Sequence, residues 1–163
     1  MSADNAALEV VVLVGIPASG KSTFYRTRFA ATHVHVSKDL FPNARRRDAR
    51  QARLIEEALG AGRSLVVDNT SPTPAERAAI IAPARQHGAR VVGYYFATPL
   101  ADAMARNAGR EGRARVPDAG VRAIAKRMSR PRLDEGFDEM YVVRLAANGF
   151  TIEPWKEETD EDR

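Results

Sequence analysis

"VGIPASGKST" (residues 14–23) follows directly on the apolar run "LEVVVLV" (8–14), and Gly15, Gly20, Lys21 and Ser22 satisfy the pattern G-x-x-x-x-G-K-[ST]. The pattern has a physical basis. A buried strand ends, a glycine-rich turn aims several backbone N–H groups into one space, and a helix starts with its positive end facing that space. Gly15 and Gly20 allow a backbone approach that a side chain would forbid. Lys21 is spaced to reach the β- and γ-phosphates of a nucleotide, and the Ser22 hydroxyl to ligate Mg²⁺. Ala18, Ser19 and Thr23 complete the set of loop residues expected around the phosphates. A chance match in a Gly/Ser loop would lack the flanking context present here, an apolar strand before and the helix-compatible "KSTFYRTRF" (21–29) after. The loop by itself does not separate a kinase from a GTPase or a motor.

Working outward, five runs read as buried strands: 7–14, "HVHVS" (33–37), "SLVVDN" (64–69), "RVVGYYFA" (90–97) and "EMYVVRL" (139–145). They are β-branched or aromatic with little polar alternation, as in strands covered on both faces. Stretches of helical character lie between them, at 20–30, 44–60, 74–87, 99–108 and 117–129. Thr73, Pro74 and Glu76 form a capping-box signal for the third, and Gly60 and Gly88 sit at helix ends. Alternating strands and helices imply an α/β fold: one domain with a mainly parallel five-stranded sheet flanked by helices. Ligands in such sheets gather beyond the carboxyl ends of the strands, here just after residues 14, 37, 68 and 97.

The 163 residues fit one domain, read as 1–155 with an acidic tail at 156–163. There is no cysteine, hence no disulfide partner, and neither a secretory signal nor a membrane-length apolar run is evident; a cytoplasmic location is the expectation. The net charge of +4 is unevenly spread. "RRRDARQAR" (45–53) is strongly basic, and so is the stretch from Arg106 to Arg132, a distribution that suits a substrate with several phosphates. The histidines show no ligand spacing with acids. His33 and His35 alternate with valines and read as packing residues, so no structural metal site is assigned.

Three further features lie on the ligand-binding edge. Asp39, in "SKDLF" (37–41), could accept a proton from an attacking hydroxyl, or could be an ordinary turn or N-cap aspartate. Asp68 closes the third strand beside the loop, where a carboxylate holds the Mg²⁺ environment directly or through water; a helix cap is the alternative, although Thr73 already supplies that signal. "ARNAGREGRARVP" (105–117) carries Arg106 on a helix that breaks at Gly109 and Gly112, with Arg110 between those glycines, and reads as an arginine-bearing lid. A solvated basic loop is the plain alternative.

Taken together, "GIPASGKST", "SKDLF", "DNTSPTPAERAAII" (68–81), "FATPLADAMARNAGR" (96–110) and "RLDEGFDEMYVV" (132–143) resemble the kinase domain of the polynucleotide 5′-hydroxyl kinases, within the P-loop kinase superfamily. The resemblance implies ATP and Mg²⁺ as cofactors and a 5′-hydroxyl nucleic-acid end as substrate. It implies Lys21, Ser22 and Arg110 at the phosphates, with Arg106 as a second lid arginine. It implies Asp39 as general base, and Asp68 and Arg77 at the active site. One departure is visible: the family's arginine a few residues beyond the base has no counterpart before Arg45. A kinase with a small-molecule acceptor (a sugar, nucleoside or antibiotic hydroxyl) is the alternative, and a regulatory ATPase a third reading.

Overall fold

A computed structural model describes residues 7–157; the greater part of the acidic tail, 158–163, lies outside the described residues. The central strand β1 (Glu9–Val14) shows why the apolar run is uninterrupted. Val10, Val12 and Val14 enter one core while Val11 and Leu13 enter another, on the opposite face of the sheet. Period-two geometry sends neighbouring residues to opposite faces, so a strand covered on both sides has no position for a polar residue.

Around it stand β2 (Val34–Val36), β3 (Leu65–Asp68), β4 (Arg90–Phe96), β5 (Glu139–Ala146) and β6 (Gly149–Pro154), in the order β2-β3-β1-β4-β5-β6. The first five are parallel, and β6 runs antiparallel beside β5. The helices are α1 (Lys21–Arg28), α2 (Arg47–Gly60), α3 (Pro74–Gln86), α4 (Leu100–Ala108) and α5 (Asp118–Arg127). No helix among the described residues is long and apolar enough to cross a membrane.

The sheet therefore has six strands rather than the five expected. The last alternates exposed and half-buried residues and ends in proline, as an edge strand does. Its inward residues Phe150 and Ile152 pack on the core around Phe24, Phe29 and Phe96. Thr73 caps α3 by accepting a hydrogen bond from the Glu76 N–H at 3.3 Å, with Pro74 in the first turn. The expected box is only half made, because the Glu76 carboxylate turns to Arg127 of α5 at 2.7 Å.

Candidate active site

The phosphate loop spans β1 to α1 on the carboxyl edge of the sheet. The Gly15 N–H donates to Thr70 O at 3.1 Å, fastening the loop to the segment after β3. A Cβ at Gly15 would lie 2.9 Å from both Phe96 Cβ and Ser19 Oγ. Gly20 has φ +99°, and a Cβ there would meet Phe150 at 3.0 Å. Both glycines are thus required by close approach, and Gly20 also by its backbone angle. Gly20 is the N-cap of α1, with no side-chain cap and no acid in the first turn. The first N–H groups of that helix have no side-chain acceptor of their own, the condition for an anion site at a helix start.

Lys21 is buried, and its ammonium donates to Gly15 O at 3.0 Å, Ile16 O at 2.8 Å and Ser19 Oγ at 3.3 Å. Burial lowers its pKa to about 8; Asp68 and Asp39 pull it upward, while Arg110 pushes it down. That the amine senses Arg110, Asp68 and Asp39 together describes the site: a cation at the meeting point of the loop, the lid and two carboxylates.

The Ser22 hydroxyl donates to Asp68 Oδ2 at 2.8 Å, and Asp68 is buried at the end of β3. A serine hydroxyl beside a buried carboxylate is a hard oxygen donor pair, the chemistry Mg²⁺ takes. The same Asp68 oxygen lies 2.9 Å from His35 Nε2. The His35 ring stacks on Tyr25 of α1, centroids 4.0 Å apart and planes 13° from parallel. His35 is thus not only a packing residue: it holds Asp68 from β2. The alternation with valines gave it a half-buried strand position but could not say which strand end it faced. Capping of α3 falls to Thr73, so Asp68 has no part in it.

Asp39 lies in a 3₁₀ turn, Lys38–Leu40, directly after β2. The cap of that turn is Ser37, whose Oγ accepts from the Asp39 N–H at 3.3 Å. The Asp39 side chain is 94% exposed and stands 3.9 Å from Arg47 Nη2. Asn69 anchors the turn by accepting from the Lys38 N–H at 3.0 Å and donating to Gln51 Oε1 of α2 at 2.5 Å. The Lys38 ammonium pairs with Asp48.

A cleft of about 1050 Å³ joins these parts. Ala18, Ser19, Gly20, Lys21, Ser22 and Thr23 line it together with Lys38, Asp39, Arg47, Gln51, Asp68 and Asn69. Arg110 and Arg113, from the segment between α4 and α5, also line it. Arg47, Arg113, Asn69 and Gln51 were not singled out from sequence. Arg47 and Arg113 sit inside charge runs whose members look alike until the backbone gives each a direction.

Two further expected site residues bond to the protein itself. Arg106 donates from Nε to Ala18 O at 3.0 Å, so it ties α4 to the apex of the phosphate loop. Arg77 is fully buried, with both faces of its guanidinium occupied by the protein. It forms a two-point bond with Glu135, at 2.7 and 3.2 Å, and donates to Ser71 O, Ser129 O and Ser129 Oγ at 3.0, 3.3 and 3.1 Å. Arg77 therefore joins α3, the loop after β3, the segment after α5 and the turn before β5.

Solved structures share the fold. Over 83% of this chain and 89% of the other, it is similar to Kti12 from Chaetomium thermophilum, determined in complex with ADP-AlF3, at TM-score 0.70 and 16% identity. A sugar kinase from Janibacter sp. HTCC2649 superposes at TM-score 0.64 with 17% identity, covering 84% of this chain and 85% of that one. A gluconokinase from Sinorhizobium meliloti 1021 gives TM-score 0.59 and 17% identity over 83% and 82%. The architecture is thus the single-domain α/β fold of P-loop kinases. The family model described as AAA domain, AAA_33, matches residues 10–131, from the start of β1 past the lid, and the chain belongs to that family.

Proposed function

We propose that this protein is an ATP-dependent phosphotransferase that moves the γ-phosphoryl group to the 5′-hydroxyl of an RNA or DNA end. The donor half of this reading is supported by the Gly15–Thr23 loop, the buried Lys21, the Ser22–Asp68 pair and Arg110 on one cleft. Ser22 and Asp68 would hold Mg²⁺, which would supply positive charge to offset that of the phosphates. Lys21 and Arg110 would offset the charge on the transferring group, and the uncapped start of α1 would hold the phosphates in place.

The observation that carries the acceptor half is Asp39, exposed on the cleft and beside the arginine-rich start of α2. An exposed carboxylate within the cleft can orient an incoming hydroxyl and take its proton. Arg47, 3.9 Å away, could hold a phosphate of the acceptor and so serve where the arginine close behind Asp39 is missing. A reading with a small sugar as acceptor is favoured by the likeness to a sugar kinase and a gluconokinase, and by the Asn69–Gln51 amides beside Asp39.

The deciding experiment uses γ-labelled ATP, Mg²⁺ and a short 5′-hydroxyl oligonucleotide, with its 5′-phosphorylated twin and the Asp39→Ala variant as controls. Label should appear only on the 5′-hydroxyl strand and fall by at least about a hundredfold in the variant, the usual scale of a general base. ATP binding should change little. ATP consumed without label on RNA or DNA would overturn the acceptor, and near-normal transfer by Asp39→Ala would overturn the base.

A further inference from the structure

The lid segment has an anchoring problem. Residues 111–115 are all exposed, as are Ala108 and Gly109, so no apolar packing holds the loop that carries Arg110 and Arg113 into the cleft. Its internal backbone bonds are local: the Arg110 N–H donates to Asn107 O at 3.0 Å and the Arg115 N–H to Gly112 O at 3.2 Å. A loop this polar would sample many conformations, and each ordered residue costs about 1–2 kcal/mol of backbone entropy.

Its neck is closed by one side chain. Asn107 is completely buried at the end of α4. Its Nδ2 donates to Val116 O at 2.5 Å, and the Val116 N–H donates to its Oδ1 at 2.9 Å. One amide thus satisfies both backbone groups of a residue nine positions along the chain, imitating a strand pairing across the base of the loop. The preceding residue, Arg106, is bonded to Ala18 of the phosphate loop. The neck is therefore registered against the loop that the arginines face.

We infer that Asn107 is the positioning residue of the lid: by clamping Val116 it sets where Arg110 and Arg113 stand over the phosphate loop, and so sets the affinity for the polyphosphate of a nucleoside triphosphate. This rests on the reading that Arg110 meets the nucleotide phosphates. Asn107 itself touches no ligand and acts through the arginines.

A double-mutant cycle tests this with the full chain. The binding of a non-hydrolysable ATP analogue with Mg²⁺ is measured for wild type, Asn107→Ala, Arg110→Ala and the double variant, and AMP is measured beside it. Each single change should weaken the triphosphate about tenfold, a coupling of ordinary size. The double variant should weaken it by clearly less than the product of the two single losses, because Asn107 works in part through Arg110, and AMP affinity should stay put. Amide exchange at residues 110–116 should quicken in Asn107→Ala while the strands stay protected.

Losses that multiply in the double variant would overturn the inference, as would wild-type analogue binding by Asn107→Ala. An unaffected Arg110→Ala would instead overturn the role given to Arg110 at the nucleotide phosphates, and with it this inference, while leaving the loop, Lys21 and the Ser22–Asp68 pair in the donor site. Should Asn107→Ala not fold, Asn107→Asp keeps the shape and the acceptor for the Val116 N–H but loses the donor, and is read in the same way.

Discussion

Lys21 carries most of the electrostatic tension of the site. Its ammonium is buried against the carbonyls of its own loop, and its pKa is held near 8 by that burial. A phosphate brought to it favours the charged form. Below pH 8 the amine is already protonated and the anion meets a cation. Above pH 8 binding must take up a proton, so nucleotide affinity should fall by up to about tenfold per pH unit. Titration calorimetry at pH 9 in buffers of different ionisation heat should register close to one proton taken up, and Lys21→Met should abolish that uptake. The same group affects stability in the opposite sense. Its folded pKa lies below the ordinary 10.5, so the burial penalty is full below pH 8 and is relieved as the pH rises from about 8 to 10.5. His35 makes a second residue-scale case. His35→Phe keeps a ring against Tyr25 and removes the bond to Asp68. Freed from it, Asp68 should hold its orientation toward Ser22 less well. The Mg²⁺ concentration for half-maximal activity is then expected to rise by about tenfold, the scale of losing a partner that orients a metal ligand. An unchanged Mg²⁺ requirement would return His35 to a packing role.

Among the elements, the central parallel strands were legible because they are covered on both faces, and α3 because it carries its own start signal. After Glu9, β1 is continuous valine and leucine for that reason, and Thr73-Pro74 announces α3. β6 was missed although Asn148-Gly149 between apolar stretches is a strong hairpin signal. It has only two large apolar residues, half of it faces solvent, and its value lies in Phe150 packing beside Gly20, a contact between residues far apart in sequence. The resemblance implies Arg77 at the active site, but its pairing with the glutamate of "EGF" becomes visible only when α3 and the 3₁₀ turn Leu133–Glu135 are brought face to face. The pair is buried, Arg77 wholly and Glu135 to all but 14%. Removing one member leaves the other desolvated and unpaired, so Arg77→Met should cost about 3–5 kcal/mol in denaturant unfolding, while the paired replacement Arg77→Met/Glu135→Leu should recover much of it. A stable Arg77→Met that has lost only turnover would place the arginine in the chemistry after all.

At the scale of the whole molecule, the question is what the surplus positive charge is for. The net charge of +4 conceals a basic stretch at the start of α2, where Arg45, Arg46 and Arg47 precede Asp48, and a second between α4 and α5, where Arg110 and Arg113 line the same cleft as Arg47. Asp39 lines the same cleft. An acceptor that is a nucleic-acid end must lay successive phosphates along such a surface, whereas a neutral sugar uses none of them. Salt separates the two. With ATP and Mg²⁺ saturating, each phosphate contact on a single strand releases counterions and adds about 0.7 to the slope of log KM against log salt. An oligonucleotide acceptor held by two or three such contacts should therefore give a slope of about 1.4–2.1. Arg47→Ala should lower that slope by about 0.7 and weaken all strand sequences alike, because a phosphate contact reads no base. Arg47 is the informative position, since it lines the cleft and stands 3.9 Å from the Asp39 carboxylate. If the slope is near zero, or if Arg47→Ala leaves it untouched, the arginines at the start of α2 are a solvated helix face, and the acceptor belongs inside the cleft, against Gln51 and Asn69.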